Sequence, residues 1–309
     1  MVLLYIPPVQ NLLRREVTAY ASKATGMQIQ VERIDLRFPL NLLVRGVEVI
    51  QQPDTLLSLE SLNVRVQAWP LLKGKVEVDE VTLSQVAVNS ANLIEGMQIK
   101  GVLGRFFLQS HGVDLSNETA VVNRTELSDT HIQLLMTDTT TTPKDTTASA
   151  PVNWKVNLHQ LKLKNVSFGM KLPADSMKMA AYIGEATIDD AKADLKNQFY
   201  GLKQFLLSGA SASYDTGEAQ PSEGFDASHM AVRNIRIGLD SLLYEGRNMN
   251  AVIREITMEE RSGLSITSLT GRLFSNDSII RIPELKLQTP HSEIDLSAQT
   301  YWELVNIPT

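Results

Sequence analysis

The sequence predicts a mainly β fold: an elongated, many-stranded antiparallel sheet with unequal loops and one amphipathic helix at the N-terminus. Three observations carry this expectation. Apolar and polar residues alternate in short bursts, with Leu62, Val64 and Val66 set against Asn63, Arg65 and Gln67. A period of two places every second side chain on one face of a strand. Turn formers punctuate the bursts between Val44 and Val88, at Gly46, Pro53-Asp54, Pro70 and Gly74, as short connections require. Finally, 43% of residues are hydrophobic but only 6% aromatic, so the apolar surface comes from Val, Leu and Ile, which suit a pleated sheet.

The elements follow in chain order. Val2 to Ile6 is an apolar pentad, far short of the roughly 20 residues of a spanning helix. It reads as a buried first strand, a disordered end or the tail of a membrane helix. Pro8 to Thr25 is the amphipathic helix. Val9, Leu12, Leu13, Val17, Tyr20, Ala21 and Ala24 recur at three- and four-residue steps, opposite Asn11, Arg14, Arg15 and Lys23. Pro8 suits the first helical position and Gly26 the stop. Such a helix is expected to cover the end of a sheet, or to lie at a membrane surface.

From Met27 onward the grammar is strand and turn. A six-residue unit with apolar residues at its first, fourth and sixth positions, and usually polar ones at the third and fifth, recurs from Val31-Ile34-Leu36 to Ile282-Leu285-Leu287. At this apolar content it would arise by chance roughly eight times, so longer strings carry more weight. Val78–Val88 and Leu158–Phe168 both place apolar residues at positions 1, 4, 6, 9 and 11. The three-residue step is expected to reverse the face, as a bulge would. Met97–Leu103 and Glu118–Met136 read as strands in which Thr125 and Thr130 take apolar slots. Ile280–Leu287 and Ile294–Ala298 pair across Thr289-Pro290-His291. Irregular spacing argues against a strict solenoid. The domain reading is residues 8–26 as helix, 27–136 as a first β segment, 137–151 as a Thr-rich loop and 152–309 as its continuation, with Tyr214–Asp226 as a second loop.

Searching for chemistry excludes more than it finds. The net charge is −6 without a basic block, which argues against nucleic acid. With no Cys there is no disulfide, thiolate or cysteine-metal chemistry. The five His (His111, His131, His159, His229, His291) are scattered and read as surface or turn residues. No HExxH, GxSxG, P-loop or GxGxxG string occurs. The pairs Asp189-Asp190 and Glu259-Glu260 are adjacent, so on regular strands they face opposite ways. The expectation is a non-enzymatic protein without cofactor, catalytic site or metal site. Its one-sided apolar strands must meet in a sandwich, close as a barrel, or form a curved sheet that holds lipid.

Several strings resemble the AsmA/TamB family of Gram-negative envelope proteins. They are YIPPVQ, the helix end ATGM (Ala24–Met27), IDLRFPLNLLVRGVEV (Ile34–Val49), PDTLLSLESLNVRV (Pro53–Val66) and WPLLKGKVEVDEVTLSQVAV (Trp69–Val88). NLHQLKLKNVSF (Asn157–Phe168) and TPHSEIDLSA (Thr289–Ala298) resemble its repeated strand units. The resemblance implies a long, curved and twisted sheet with an apolar groove, anchored in the inner membrane by one N-terminal helix and reaching through the periplasm. It implies phospholipid as ligand, and a role in lipid transport toward the outer membrane or in protein assembly there with a barrel insertase. On that reading residues 1–7 are the remnant of the missing anchor, and the chain is an N-terminal fragment truncated at its C-terminus. The groove wall would be Leu62, Val64, Val66, Val76, Val78, Val86, Val88, Leu161, Leu163, Ile235, Ile237, Leu285 and Leu287. The alternative is a structural or adhesive sandwich or solenoid with a closed core.

Overall fold

The computed structural model describes residues 7–38, 40–67, 78–90, 93–94, 96–114, 117–136, 153–217 and 220–304. The pentad Val2–Ile6, the candidate Val76 and the loop 137–151 lie outside the described residues. Helix α1 spans Pro7–Thr25 and is followed by β1 (Gln28–Arg37), β2 (Asn41–Gln51), β3 (Asp54–Val66), β4 (Val78–Asn89), β5 (Met97–Asp114) and β6 (Thr119–Met136). Next come β7 (Lys155–Leu172), β8 (Met177–Asp194), the short β9 (Phe199–Leu202), β10 (Gln204–Asp215) and β11 (His229–Glu245). The chain closes with β12 (Asn248–Glu260), β13 (Ser265–Ser275), β14 (Ile279–Gln288) and β15 (Glu293–Tyr301). All 15 strands belong to one curved sheet, ordered along the chain, with β9 inserted between β8 and β11.

Neighbouring strands are antiparallel throughout, except that β6 and β7 run parallel, with Thr119 opposite Lys155 and Leu135 opposite Lys171. The sheet is therefore mixed rather than wholly antiparallel. A parallel neighbour needs a connection that returns along the whole strand. At about 3.3 Å per residue that return is roughly 56 Å, within the reach of residues 137–154, about 65 Å when fully extended. The two-residue turn Gly246-Arg247 between β11 and β12, by contrast, allows only reversal. The expected hairpin at the end is present, with Leu287 opposite Ile294 and Leu285 opposite Leu296.

The strands bend along a transverse line. Residues with positive φ stand at Gly46, Gln85, Asp129, Asn165, Gly209 and Asn234, each placed just before the second apolar residue of a three-residue step. A left-handed residue skips one alternation, so the step keeps the face instead of reversing it. Consecutive Arg233 and Asn234 show this directly, because both donate to the carboxylate of Glu259, at 3.0 and 3.1 Å. The polar residues of the step share the wet side, and the apolar residues on either side of it stay together.

Helix α1 lies along β1, the first edge of the sheet. Gln10 Nε2 donates to Leu36 O at 3.0 Å, Arg14 Nη1 to Glu32 O at 2.7 Å, and Ile29 N donates to Ser22 Oγ at 3.1 Å. The expected orientation is thus corrected in part: Leu12 and Tyr20, read as core-facing, are 56% and 77% exposed. An edge strand offers backbone polar groups that need partners, so polar side chains turn toward it. Gly26 ends the helix as expected, with positive φ and its N–H on Ser22 O.

Candidate functional site

The register assembles the apolar residues into rows that cross the strands. One row starts at Ile34 and runs through Val44, Leu62, Leu83, Phe106 and Leu127 to Leu163. It continues through Ala186, Leu207, Ile237, Ile256 and Leu269 to Leu287 and Ile294. Every residue in it is apolar. Thirteen strand spacings of about 4.8 Å make the row roughly 60 Å long. A parallel row, two residues along, includes Val64, Val81, Leu108, Thr125, Leu161, Ile188, Phe205 and Leu239.

Beyond the bend a third row joins Leu59, Val86, Leu103, Thr130, Val166 and Ile183, and Ile235 stands opposite Ala210. Thr130 fills its apolar slot at 3% exposure by bonding its hydroxyl to Ser128 O. Leu62, Val64, Val66, Val78, Val86, Val88, Leu161, Leu163, Ile235, Ile237, Leu285 and Leu287 all fall on this one face. Val66 pairs with Val78, and Val88 with Leu57. Missing from the expected groove wall were Ile34, Val44, Leu83, Phe106, Leu127, Ala186, Leu207, Ile256, Leu269 and Ile294, which complete the first row. Residue type alone does not give the phase: Gly46, Asn165, Gly209 and Asn234 are left-handed just before an apolar residue, but so is Gln85, whereas Asp35, Asn157 and Gly238, also before apolar residues, are not.

Among the described residues no second layer covers this face. Leu56, Ala120, Ala186, Ala210 and Ala251 are the buried apolar residues. Apart from Thr130, the other row members are half-buried up to Leu287, Ile294 on β15 is 52% exposed, and Val88, Ile132, Phe168 and Met179 are 37–40% exposed. The chain exposes 20137 Å², against about 13,000 Å² for a compact protein of this mass. Sheet-on-sheet packing would bury alternate residues completely. Here they are sheltered only by their neighbours in the same sheet.

The opposite face is polar and cross-linked. Arg65 pairs with Glu80 at 3.3 Å, Lys155 with Asp194 at 3.2 Å, Arg254 with Asp240 at 3.1 Å and Lys286 with Glu284 at 3.0 Å. Arg105 and Arg124 stand over the ring of Phe107, at 5.9 and 6.0 Å. At Asp190 a left-handed residue breaks the alternation, so the reading that Asp189 and Asp190 face opposite ways does not apply. Asp190 receives His159 and Lys203 while Asp189 receives Gln160. The hydrogen bond with His159 holds the Asp190 carboxyl below its ordinary value. His229, read as a surface or turn residue, directly follows a turn and is only 6% exposed, with Nδ1 3.0 Å from Asp226 Oδ2. The N–H groups of Ser222 and Ser228 and the His229 ring hold the Asp226 carboxyl far below the carboxylate range. Glu260 is lowered likewise, chiefly by Ser262.

These clusters pin turns and bends; they do not converge on a reactive centre. No group of three potential metal ligands occurs among the described residues, and no described helix is long and apolar enough to cross a membrane. Two concavities, of about 950 and 1070 Å³, are lined mainly by alternate positions on the polar face. The aliphatic rows form an open surface. No protein-family model matches the chain, and no curated protein sequence does.

Proposed function

We propose that this protein is a non-enzymatic lipid-binding sheet of the cell envelope, whose aliphatic face receives the acyl chains of phospholipids. The observation that carries the reading is the unbroken apolar row from Ile34 to Ile294, partly exposed at every member but Ala186. Burying acyl carbons against such a wall yields about 0.8 kcal/mol per CH₂, and it needs no specific contacts or catalytic groups. A row of roughly 60 Å exceeds the 40–45 Å of a whole bilayer, so several acyl chains fit side by side. Together with the resemblance to the AsmA/TamB family, this favours conduction of phospholipid between inner and outer membrane, or support of outer-membrane protein assembly beside a barrel insertase. On the same reading the protein is anchored in the inner membrane and works in the periplasm. The alternative of a closed adhesive sandwich has less support, because the described strands belong to one sheet whose β1 and β15 stand at opposite ends of the path.

Mass spectrometry of gently purified protein tests the reading. Co-purified phospholipid is expected, and Val64→Asp, which puts a charge in the second row, should reduce it several-fold. Protein that remains lipid-free under several mild extraction conditions would refute it.

A further inference from the structure

The larger concavity lies on the face away from the aliphatic rows, and its composition differs from the rest of that face. Its floor is formed where Gly169, Ala180, Ser213 and Ala231 stand opposite one another across β7, β8, β10 and β11. Farther along β7 the same face carries the long charged side chains of Lys162 and Lys164, opposite Thr187 and Glu185. Gly169 has no structural reason to be glycine. Its φ is not positive, and a Cβ there would meet nothing closer than 3.9 Å, at Gln133 Cγ and Met179 O. By contrast Gly46 and Gly209 have positive φ, and a Cβ at Gly104 or Gly271 would run into a neighbouring strand at 2.7 Å. A strand glycine weakens its strand, and one with open space above it marks the close approach of another group.

The walls supply charge. Lys171 and Lys178 stand directly opposite each other in register, an arrangement that is destabilising between like charges. Neither has an ion-pair partner within 4.0 Å among the described residues, although Asp215 is the cross-strand neighbour of Lys178. Lys100 closes the β5 end, and Arg261 the far end, beside Arg233. Of the lining carboxylates, Glu260 is engaged by the N–H groups of Ala231 and Ser262. Tyr182, 40% exposed, forms the wall across from the lysines. Flanking rows two residues to either side of the floor stand about 13 Å apart, which leaves a slot suited to a flat group.

We propose that this cavity of about 1070 Å³ is a second binding site, for a small, soluble, flat organic phosphate. Its charge would sit between Lys171 and Lys178 and its ring over Gly169 and Ala180. The sheet backbone closes the floor, so a ligand here cannot reach the aliphatic face. The site is thus independent of acyl-chain binding.

Titration of the full chain with phenyl phosphate, followed by NMR, tests this, with phenol and inorganic phosphate as comparison probes. Phenyl phosphate is expected to bind at least tenfold more tightly than either. The Lys171→Gln/Lys178→Gln variant should weaken binding about tenfold without touching the floor. Gly169→Leu should abolish it by filling the slot, with strand content checked by circular dichroism. Lys162→Gln, on the same strand and face but outside the cavity, should leave it unchanged. Equal affinity for inorganic phosphate, or unchanged binding in the double lysine variant, would overturn the proposal. So would displacement of the probe by phosphatidylglycerol vesicles, which would assign the cations to a lipid headgroup.

Discussion

The two faces of this sheet use the same backbone in opposite ways. The aliphatic face is made of unbranched rows that repeat one chemistry from β1 to β15, so its strength is spread over many half-buried contacts. The polar face is made of separate pairs and clusters, such as Arg65 with Glu80 and His229 with Asp226, each confined to two or three residues. The first face therefore depends on register and phase, and the second on local geometry. Substitutions that shift phase should act over whole strands, whereas those that break a pair should act locally.

The largest effect is expected at the bend. Gly46 has φ of 59°, and a Cβ there would lie 2.7 Å from Glu32 Cβ. Gly46→Val forces β2 either to strain or to resume simple alternation, which would turn Val47 and Val49 toward the polar face. A loss of about 3 kcal/mol or more is expected, read by urea denaturation. Gly169→Ala is the matched control, because its Cβ is accommodated, and it should be neutral or stabilising by about 0.4–1 kcal/mol. Equal losses in both variants would remove phase as the distinguishing property of the aliphatic face.

Next in size is a charge placed in the first row. Ile237 is half-buried and pairs with Leu207 and Ile256. In lipid-free protein Ile237→Asp should cost about 1–2 kcal/mol, the worth of a half-buried aliphatic side chain. The same change in a closed core would cost about 4 kcal/mol or more. A denaturant titration distinguishes the two values, and the larger one would mean that something covers this face.

How much of this was legible follows from the same contrast. Alternation at Leu62, Val64 and Val66 revealed strands and a single apolar side, because a period of two is a local property. Which residues meet across strands was not legible, since Leu127 opposite Leu163 depends on the parallel junction, and no local pattern announces that. The three-residue step was visible at Leu83-Val86 and Leu163-Val166, but its meaning turned on one torsion angle. Gln85 and Asn165 have φ of 50° and 53°, and side-chain periodicity carries no direct record of that sign. The helix was found but its contacts were not, because its neighbour is a strand edge that attracts Gln10 and Arg14 rather than Leu12. The polar clusters were missed for a similar reason. His229 and Asp226 are three residues apart, yet the burial of His229 depends on the fold around it.

Acid should act on the polar face and its turns while leaving the aliphatic rows untouched. The carboxyls of Asp190, Asp226 and Glu260 are all held below their ordinary values in the folded state. Their contribution is therefore fully present above the ordinary carboxylate values, 3.8 for Asp and 4.5 for Glu. It is lost as pH falls below those values toward the depressed ones. Stability measured from pH 6 down to pH 2 should decline in that window, and the combined Asp226→Asn/Glu260→Gln variant should show a flatter decline. An identical slope in that variant would transfer the acid sensitivity to other groups.

The smallest effect is expected from a single surface pair. Arg65 and Glu80 stand opposite each other on β3 and β4, and the Arg65 side chain is 51% exposed. Water screens such a pair, and holding two long side chains in place opposes the attraction, so Arg65→Ala should cost less than about 1 kcal/mol. Raising salt well above 0.15 M shortens the screening length below about 8 Å and should shrink that difference further. Val64, the next residue along β3, points to the other face, and Val64→Ala removes only apolar surface. Its cost should persist or grow in sulfate, which strengthens burial. Thermal melts of the two variants across a salt series should therefore diverge. Parallel behaviour would mean that residues 64 and 65 share an environment, and that the division of the strand into two faces is wrong at this point.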